Sequence, residues 1–276
     1  MASDRLGVRV MSPHPVPPRT AGVPPRTERC VHLLGGPYLV VDGRRVTVPE
    51  GGKRLLAFVA LGGGRVERRR AAGTLWPETD DLRAAGNLRS TLWRLRAPGC
   101  EVLEADKASI WLRPGTAVDV EVMHGWAERL IAGRPTPADL GPVLWRADVV
   151  ELLPGWHDEW ALLERERMRQ LLLHALEALA RHLIERGRCP EAVTVATTTV
   201  AAEPLRESAQ HVLIVAHLAE GNLVEARRSY DAYEALVRRE LGVAPGRRIR
   251  ELAGTWSGTV TGPPLAAAAP RGRTVE

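Results

Sequence analysis

The stretch DLRAAGNLRSTLWRLR, residues 81–96, has the strongest regular pattern in the chain. Its apolar side chains recur every three or four residues, the spacing of a helix that buries one face. Asp81 opens the run and Pro98-Gly99 stops it, so we predict a helix from Asp81 to about Arg96. The predicted buried stripe consists of Leu82, Ala85, Leu88, Leu92 and Leu95.

The opposite face of this predicted helix is polar and basic. Arginine grips phosphates and guanine edges, asparagine pairs with adenine, and small hydroxyls reach either kind of group. Four arginines lie on the helix with only Asp81 at its start, which favours DNA recognition over a solvated amphipathic surface helix. Trp93 is ambiguous, because it fits either a cover over a neighbouring hairpin or a contact with sugars and thymine methyl groups. The candidate DNA contacts on and beside this face are Arg83, Asn87, Arg89, Ser90, Trp93 and Arg94, flanked by Thr91 and Arg96.

The segments around this helix complete a winged-helix pattern. Short apolar runs at 31–34 and 38–41 predict strands, and Asp42-Gly43 is typical of a hairpin turn. Helical patterns follow at 53–61 and 67–76, and two strand-like runs at 101–105 and 109–113 flank Asp106-Lys107. Three helices followed by a hairpin predict a DNA-binding unit in which the third helix enters the groove and the hairpin is the wing. Lys107 and Ser109 of the wing are candidate phosphate contacts, with a plain exposed turn as the alternative.

The chain from about Asp119 onward is helical in pattern and contains a repeat. Four residues recur at an offset of 34 positions, the period of tetratricopeptide-like helix pairs. Glycine would end one helix of each pair, and Glu-Ala would begin the next with a side chain small enough for close helix contact. The repeated residues are Leu179, Gly187, Glu191 and Ala192, followed by Leu213, Gly221, Glu225 and Ala226.

Charge divides the chain unevenly. Residues 28–118 carry 15 basic and 10 acidic side chains, whereas residues 119–276 carry 19 basic and 22 acidic ones. The positive excess in the N-terminal part predicts an anionic partner such as nucleic acid. Both ends are rich in proline, so we expect disordered tails over 1–27 and 256–276.

Other function classes find little support in the sequence. Gly51-Gly52-Lys53 lacks the glycine spacing of a phosphate-binding loop, and the eight histidines show no metal-ligand spacing. Three scattered cysteines do not form a disulfide framework. The N-terminus has no apolar signal-peptide core, and no apolar run is long enough to cross a membrane. We therefore expect a cytoplasmic, nucleoid-associated protein that is not an enzyme and has no catalytic residues, cofactor, metal or membrane partner.

With these residues noted, the chain resembles the Streptomyces antibiotic regulatory protein (SARP) family of transcriptional activators. The N-terminal likeness lies in VHLLGGPYLVVDGRRVTVP, KRLLAFVAL, LWP and NLRSTLWRLR. The C-terminal likeness, to the bacterial transcriptional activator domain, lies in LLPGWHDEWALLERERMRQLLLHALEALARHL, EPLRESA, AHLAEGN, EARRSYDAYEAL and ELGVAPG. The resemblance implies a mainly α fold with a small β part, an OmpR-type winged helix over 28–118 and an all-α tetratricopeptide-like domain over 119–255. It also implies that Thr91, Arg94 and Arg96 touch DNA.

The functional expectation follows from pattern and resemblance together. The resemblance implies binding to direct repeats in double-stranded DNA near promoters of antibiotic or other secondary-metabolite clusters, and recruitment of RNA polymerase holoenzyme. Two protomers would dimerise or sit side by side on such repeats. The alternative is a protein-interaction scaffold that uses its tetratricopeptide-like groove and has no specific DNA site.

Overall fold

The computed structural model describes residues 29–96, 101–141 and 151–256. The predicted N-terminal tail and the Pro98-Gly99 helix stop lie outside these residues, as does all but the first residue of the predicted C-terminal tail. The described part is mostly helical, with a small β region near the N-terminus. This arrangement confirms the predicted fold class.

A small sheet opens the described chain. Strands β1 (Arg29–His32), β2 (Tyr38–Val41) and β3 (Arg44–Val46) pair antiparallel in sequence order. Asp42 and Gly43 both have positive φ, 48° and 77°, which confirms the predicted hairpin turn. The sheet also contains a strand that the sequence analysis did not predict: β7 (Thr116–Val118) pairs parallel with β1.

The next elements form the predicted winged helix. Three helices follow the sheet: α1 (Glu50–Leu61), α2 (Arg68–Leu75) and α3 (Asp81–Arg94). The wing consists of β5 (Leu103–Ala105) and β6 (Ser109–Leu112), and the two-residue strand β4 (Val66–Glu67) pairs with β6. A Cβ at Gly52 of α1 would lie 2.5 Å from Cδ2 of Leu95. The close packing of Leu95, just after α3, on α1 therefore requires glycine at that position.

The buried face of α3 differs from the predicted stripe. Leu82 is 86% exposed, whereas Thr91 is only 4% exposed. The packed positions follow the same three- and four-residue spacing, but they are rotated around the helix from the predicted ones. Ala84 and Thr91 are buried, although the apolar pattern did not place either residue on the buried face. The residues that face the core are Ala84, Leu88, Thr91 and Leu95.

Helices fill the rest of the described chain. Neighbouring helices pack against each other in chain order from α4 to α8. Glycines with left-handed backbone follow α5 and α7, with φ of 73° at Gly187 and 81° at Gly221, and Ala192 and Ala226 are fully buried. These positions match the predicted 34-residue repeat. The helices are α4 (Asp119–Ile131), α5 (Glu159–Glu185), α6 (Cys189–Ala202), α7 (Glu207–Ala219), α8 (Leu223–Leu241) and α9 (Arg247–Trp256), with a 3-10 turn at Pro137–Leu140. Among the described helices, none combines the length and apolar character needed to span a bilayer.

One hydrophobic core runs through both predicted domains, from Val31 to Ala216. Asp119, the predicted first residue of the second domain, is buried, and its carboxylate accepts the backbone N–H groups of Leu33 (3.0 Å) and Leu34 (3.1 Å). The chain is therefore tightly packed at the predicted domain boundary, 118/119.

The segment just before α5 and the first turns of that helix pack against the winged helix. The ring of Trp160 meets Phe58 of α1 edge-on, with centroids 5.3 Å apart, and Asp158 pairs with Arg54. Arg165 donates to the carbonyl oxygens of Leu152 (2.9 Å) and Trp156 (3.1 Å) and so fixes the segment in place. The winged helix is therefore held against α5 and the segment before it by aromatic and ionic contacts.

Candidate nucleic-acid interface

Helix α3 is fixed at its start by a cap. The side chain of Asp80 accepts the backbone N–H of Arg83 at 2.8 Å, which satisfies one of the unpaired donors of the first turn. Asp81 lies in the first turn and Arg94 in the last, and each charge is favourable beside the helix dipole. The cap and the charges stabilise the two ends of α3 and fix where the helix begins.

Most of the predicted DNA contacts lie on the solvent side of α3. Asn87 is half-buried at the edge of the exposed face. Thr91 does not fit the prediction, because its side chain faces the core and is closed off from a ligand on the outer face. The exposed candidates on α3 and just after it are Arg83, Arg89, Ser90, Trp93, Arg94 and Arg96.

Arg94 lies close to the start of α1. A Cβ at Gly51, in the first turn of α1, would come within 3.1 Å of Nη1 of Arg94. The guanidinium therefore extends sideways across α1, although the residue remains exposed. This position favours contact with a phosphate at the border of the helix over contact with a base edge at the centre of the face.

Asp106 organises the tip of the wing. Its carboxylate accepts the backbone N–H groups of Ala108 (2.8 Å) and Ser109 (2.7 Å) and pairs with Arg65. The two backbone hydrogen bonds, together with the nearby cations Arg65 and Arg68, lower the pKa of Asp106. Lys107 is exposed at the tip, whereas Ser109 is half-buried in β6. Of the two predicted wing contacts, Lys107 is the more accessible.

A cleft separates the outer part of α3 from the wing. Its lining joins α2, α3 and the wing tip in one concave surface with several cations. The acidic Asp106 also lines it but is paired with Arg65. The cationic and aromatic residues of the cleft are Arg68, Arg89, Trp93, Arg96 and Lys107.

Two features of this surface were not predicted from the sequence. Arg68 lines the cleft and donates from Nη1 to the Asp106 carbonyl at 3.3 Å. The run of three arginines at 68–70 is the signal from which this part of the surface could have been predicted. The exposure of Leu82 had no comparable signal, since its spacing fits the apolar stripe.

Comparison with known proteins identifies the helical part. Residues 128–255 match the family described as "Bacterial transcriptional activator domain". A protein named "Regulatory protein AfsR" from Streptomyces coelicolor is 33% identical over 109 residues, 40% of this chain. A protein of the same name from Streptomyces griseus is 26% identical over 250 residues, 85% of this chain. Residues 128–255 therefore belong to the bacterial transcriptional activator domain family, and the chain is similar to SARP-type regulators.

A solved structure shares the fold of this chain. The structure titled "Mycobacterium tuberculosis EmbR in complex with low affinity phosphopeptide" aligns with a TM-score of 0.58 and 22% identity, over 82% of this chain and 64% of that one. This likeness shows a shared fold. The chain spans only 11% and 25% of the lengths of the two AfsR proteins, so it matches a limited part of each.

Proposed function

We propose that this chain is a sequence-specific DNA-binding activator of transcription that places α3 in the major groove. One observation carries the proposal: the exposed face of a winged-helix third helix presents arginines, with no acidic residue between Leu82 and Arg96. A polyanion is the ligand that fits this charge. The wing and the first turn of α2 extend the cationic surface beside the helix.

In this proposal, different side chains provide the affinity for DNA and the preference for one DNA sequence. Arg94 and Lys107, at the borders of the surface, bind phosphates and make binding sensitive to salt. Arg89 and Ser90, near the centre of the exposed face, reach base edges and supply the choice of sequence. Thr91 is left out because it is buried.

The helical domain is proposed to contact protein. Residues 119–276 carry three more acidic than basic side chains, which disfavours DNA as the partner of this part. Helix pairs of this kind offer surfaces for other proteins. We assign RNA polymerase holoenzyme, and a second protomer on a direct repeat, to this domain. The family resemblance adds a secondary-metabolite gene cluster as the target and the nucleoid of the cytoplasm as the place.

Selection of bound duplexes from a random-sequence pool tests the proposal. The purified chain should enrich one motif, and two copies in direct repeat should bind more tightly than one. Arg89→Ala should weaken binding to the selected duplex by ~1–3 kcal/mol if its guanidinium contacts a base edge.

Arg227→Ala is the matched control, because it also removes one exposed helical arginine, from α8 in the helical domain. This control should bind the selected duplex as the wild type does. Recovery of random sequences after several rounds would contradict the proposal and favour a scaffold that binds only protein.

A further inference from the structure

Two large apolar side chains stand exposed on the arginine-rich face of α3. Leu82 is 86% exposed and Trp93 is 75% exposed, the highest values among the large exposed apolar residues of the described chain. A single exposed leucine needs no explanation, but an exposed tryptophan beside several arginines on a proposed binding face does. A ligand that covers an apolar side chain of this size removes it from water, which makes the free energy of binding more favourable.

These two side chains lie on one line along the helix. Eleven residues separate them, which at 100° per residue brings them to nearly the same side, ~16 Å apart along the axis. Gly86 lies between them on that line, and a Cβ there would meet only Nη2 of Arg89, at 3.9 Å. The fold therefore does not require glycine at 86, and the centre of this face is flat between its two apolar ends.

The surroundings of Trp93 indicate the chemistry of what covers it. Arg89, Ser90 and Arg94 border it on one surface depression, and Arg96 and Lys107 line the cleft on its other side. No acidic side chain follows Asp81 on α3, and the carboxylate of Asp106 in the cleft is already engaged by Arg65. An apolar ring in a cationic border fits a ligand that is anionic overall and apolar at one point.

Double-stranded DNA offers such a point. In the major groove the thymine 5-methyl is the apolar group displayed by the base pairs, and it lies between two rows of phosphates. We propose that Trp93 is a specificity-determining residue that packs on a thymine 5-methyl group, while the flanking arginines bind the backbone. The inference rests on the proposed DNA-binding function and names one feature of the site that it recognises.

The experiment removes the methyl group from the DNA and the ring from the protein. The probe is the duplex selected by the wild-type chain, resynthesised with 2′-deoxyuridine in place of one thymidine at a time. Burial of one methyl group contributes about three- to fourfold in affinity, so one substitution should weaken wild-type binding by about that factor. Trp93→Ala should bind the thymidine and deoxyuridine duplexes equally at that position.

Three further variants complete the test. Trp93→Phe keeps an aromatic ring and should retain the preference for thymidine. Leu82→Ala, some three helical turns away, should leave the preference at the Trp93-dependent position unchanged. Leu241→Ala removes an exposed apolar side chain from α8 and should behave as the wild type on every duplex.

The outcomes separate this inference from the proposed function. If no motif is selected, the proposed function itself fails. If a motif is selected but it lacks thymidine, or deoxyuridine has no effect, or its effect persists in Trp93→Ala, then only the role of Trp93 fails. Equal weakening of Trp93→Ala on all duplexes would show that the ring packs on sugars. Dissociation of a free dimer by Trp93→Ala would show that a second protomer covers it.

Discussion

Asp119 joins the start of the helical part to the first strand. Its carboxylate accepts three backbone N–H groups within 3.1 Å, those of Leu33, Leu34 and Val120. Asp119→Ala would leave the buried amide of Leu33 and the half-buried amide of Leu34 without an acceptor. We expect a loss of on the order of 3 kcal/mol in the free energy of unfolding.

Chemical denaturation of the full chain measures this loss. Asp119→Asn is the control, because its side-chain oxygen still accepts one amide, and it should lose less stability than the alanine variant. Equal losses in the two variants would show that the charge matters more than the hydrogen bonds.

His32 stacks on Tyr38, with ring centroids 4.6 Å apart, and its Nδ1 lies 3.5 Å from the Asp119 carboxylate. Burial alone would lower the pKa of His32, but hydrogen bonds to Asp119 and Cys30 outweigh it and raise the pKa to about 9. The unfolded chain has the ordinary value of 6.5. The protonated side chain therefore contributes its full stabilisation below pH 6.5, and the contribution is lost as the pH rises to about 9.

This titration predicts how stability depends on pH. The free energy of unfolding of the wild type should fall between pH 6.5 and pH 9, and the fall should be smaller in His32→Gln. Denaturation at a series of pH values checks it. If the free energy of unfolding depended on pH in the same way in both proteins, His32 would not be the cause of the fall.

At the scale of the element, the helix ends of the repeat depend on glycine. Gly221 follows α7 with φ of 81°, and a Cβ there would meet no atom within 4 Å. The cost of Gly221→Ala is therefore backbone strain alone, which we expect to lower stability by ~1–2 kcal/mol. Gly73→Ala, an exposed position inside α2, is the control and should raise stability by up to ~1 kcal/mol. A neutral Gly221→Ala would mean that the turn after α7 adopts another backbone conformation.

Local patterns in the sequence were enough to predict many elements. The Asp42-Gly43 turn, the three helices, the wing and the glycines at 187 and 221 each depend on residues near them in the chain. The parallel pairing of β7 with β1 was not predicted, because it joins residues almost 90 positions apart. The predicted orientation of α3 was wrong at Leu82 and Thr91. Several neighbouring stripes of the helix could face the core, and the packing of Leu95 on α1 decides which of them does.

At the scale of the whole molecule, the core that runs from Val31 to Ala216 predicts that the winged helix and the helices up to α7 unfold as one unit, while α8 and α9 pack around a second, smaller core. Trp160 of α5 packs on Phe58 of α1, so its loss should affect the winged helix and the helical domain together. Because Trp160 is half-buried, we expect Trp160→Ala to lower the free energy of unfolding by about 2 kcal/mol, less than the loss of a fully buried ring. Helical circular dichroism and DNA binding should report the same transition midpoint in urea.

Trp93→Ala is the matched control for this variant, because it removes the same side chain from an exposed position. Its unfolding midpoint should equal that of the wild type. Two separate transitions, with only the helical one moved by Trp160→Ala, would show that the parts before and after 118/119 unfold as independent domains.

Leu33 has a consequence for how the protein is made. Its backbone N–H is bound by Asp119, 86 positions later, and its carbonyl accepts the N–H of Leu153 at 3.0 Å, a further 34 positions on. On the ribosome, Leu33, which directly follows the first strand, therefore waits for the next 120 residues before both of its backbone groups are paired. Contacts of such long sequence separation slow folding. A nascent chain that ends before residue 151 contains Asp119 but lacks Leu153, so the backbone contact at the carbonyl of Leu33 forms only after synthesis has passed well beyond the winged helix.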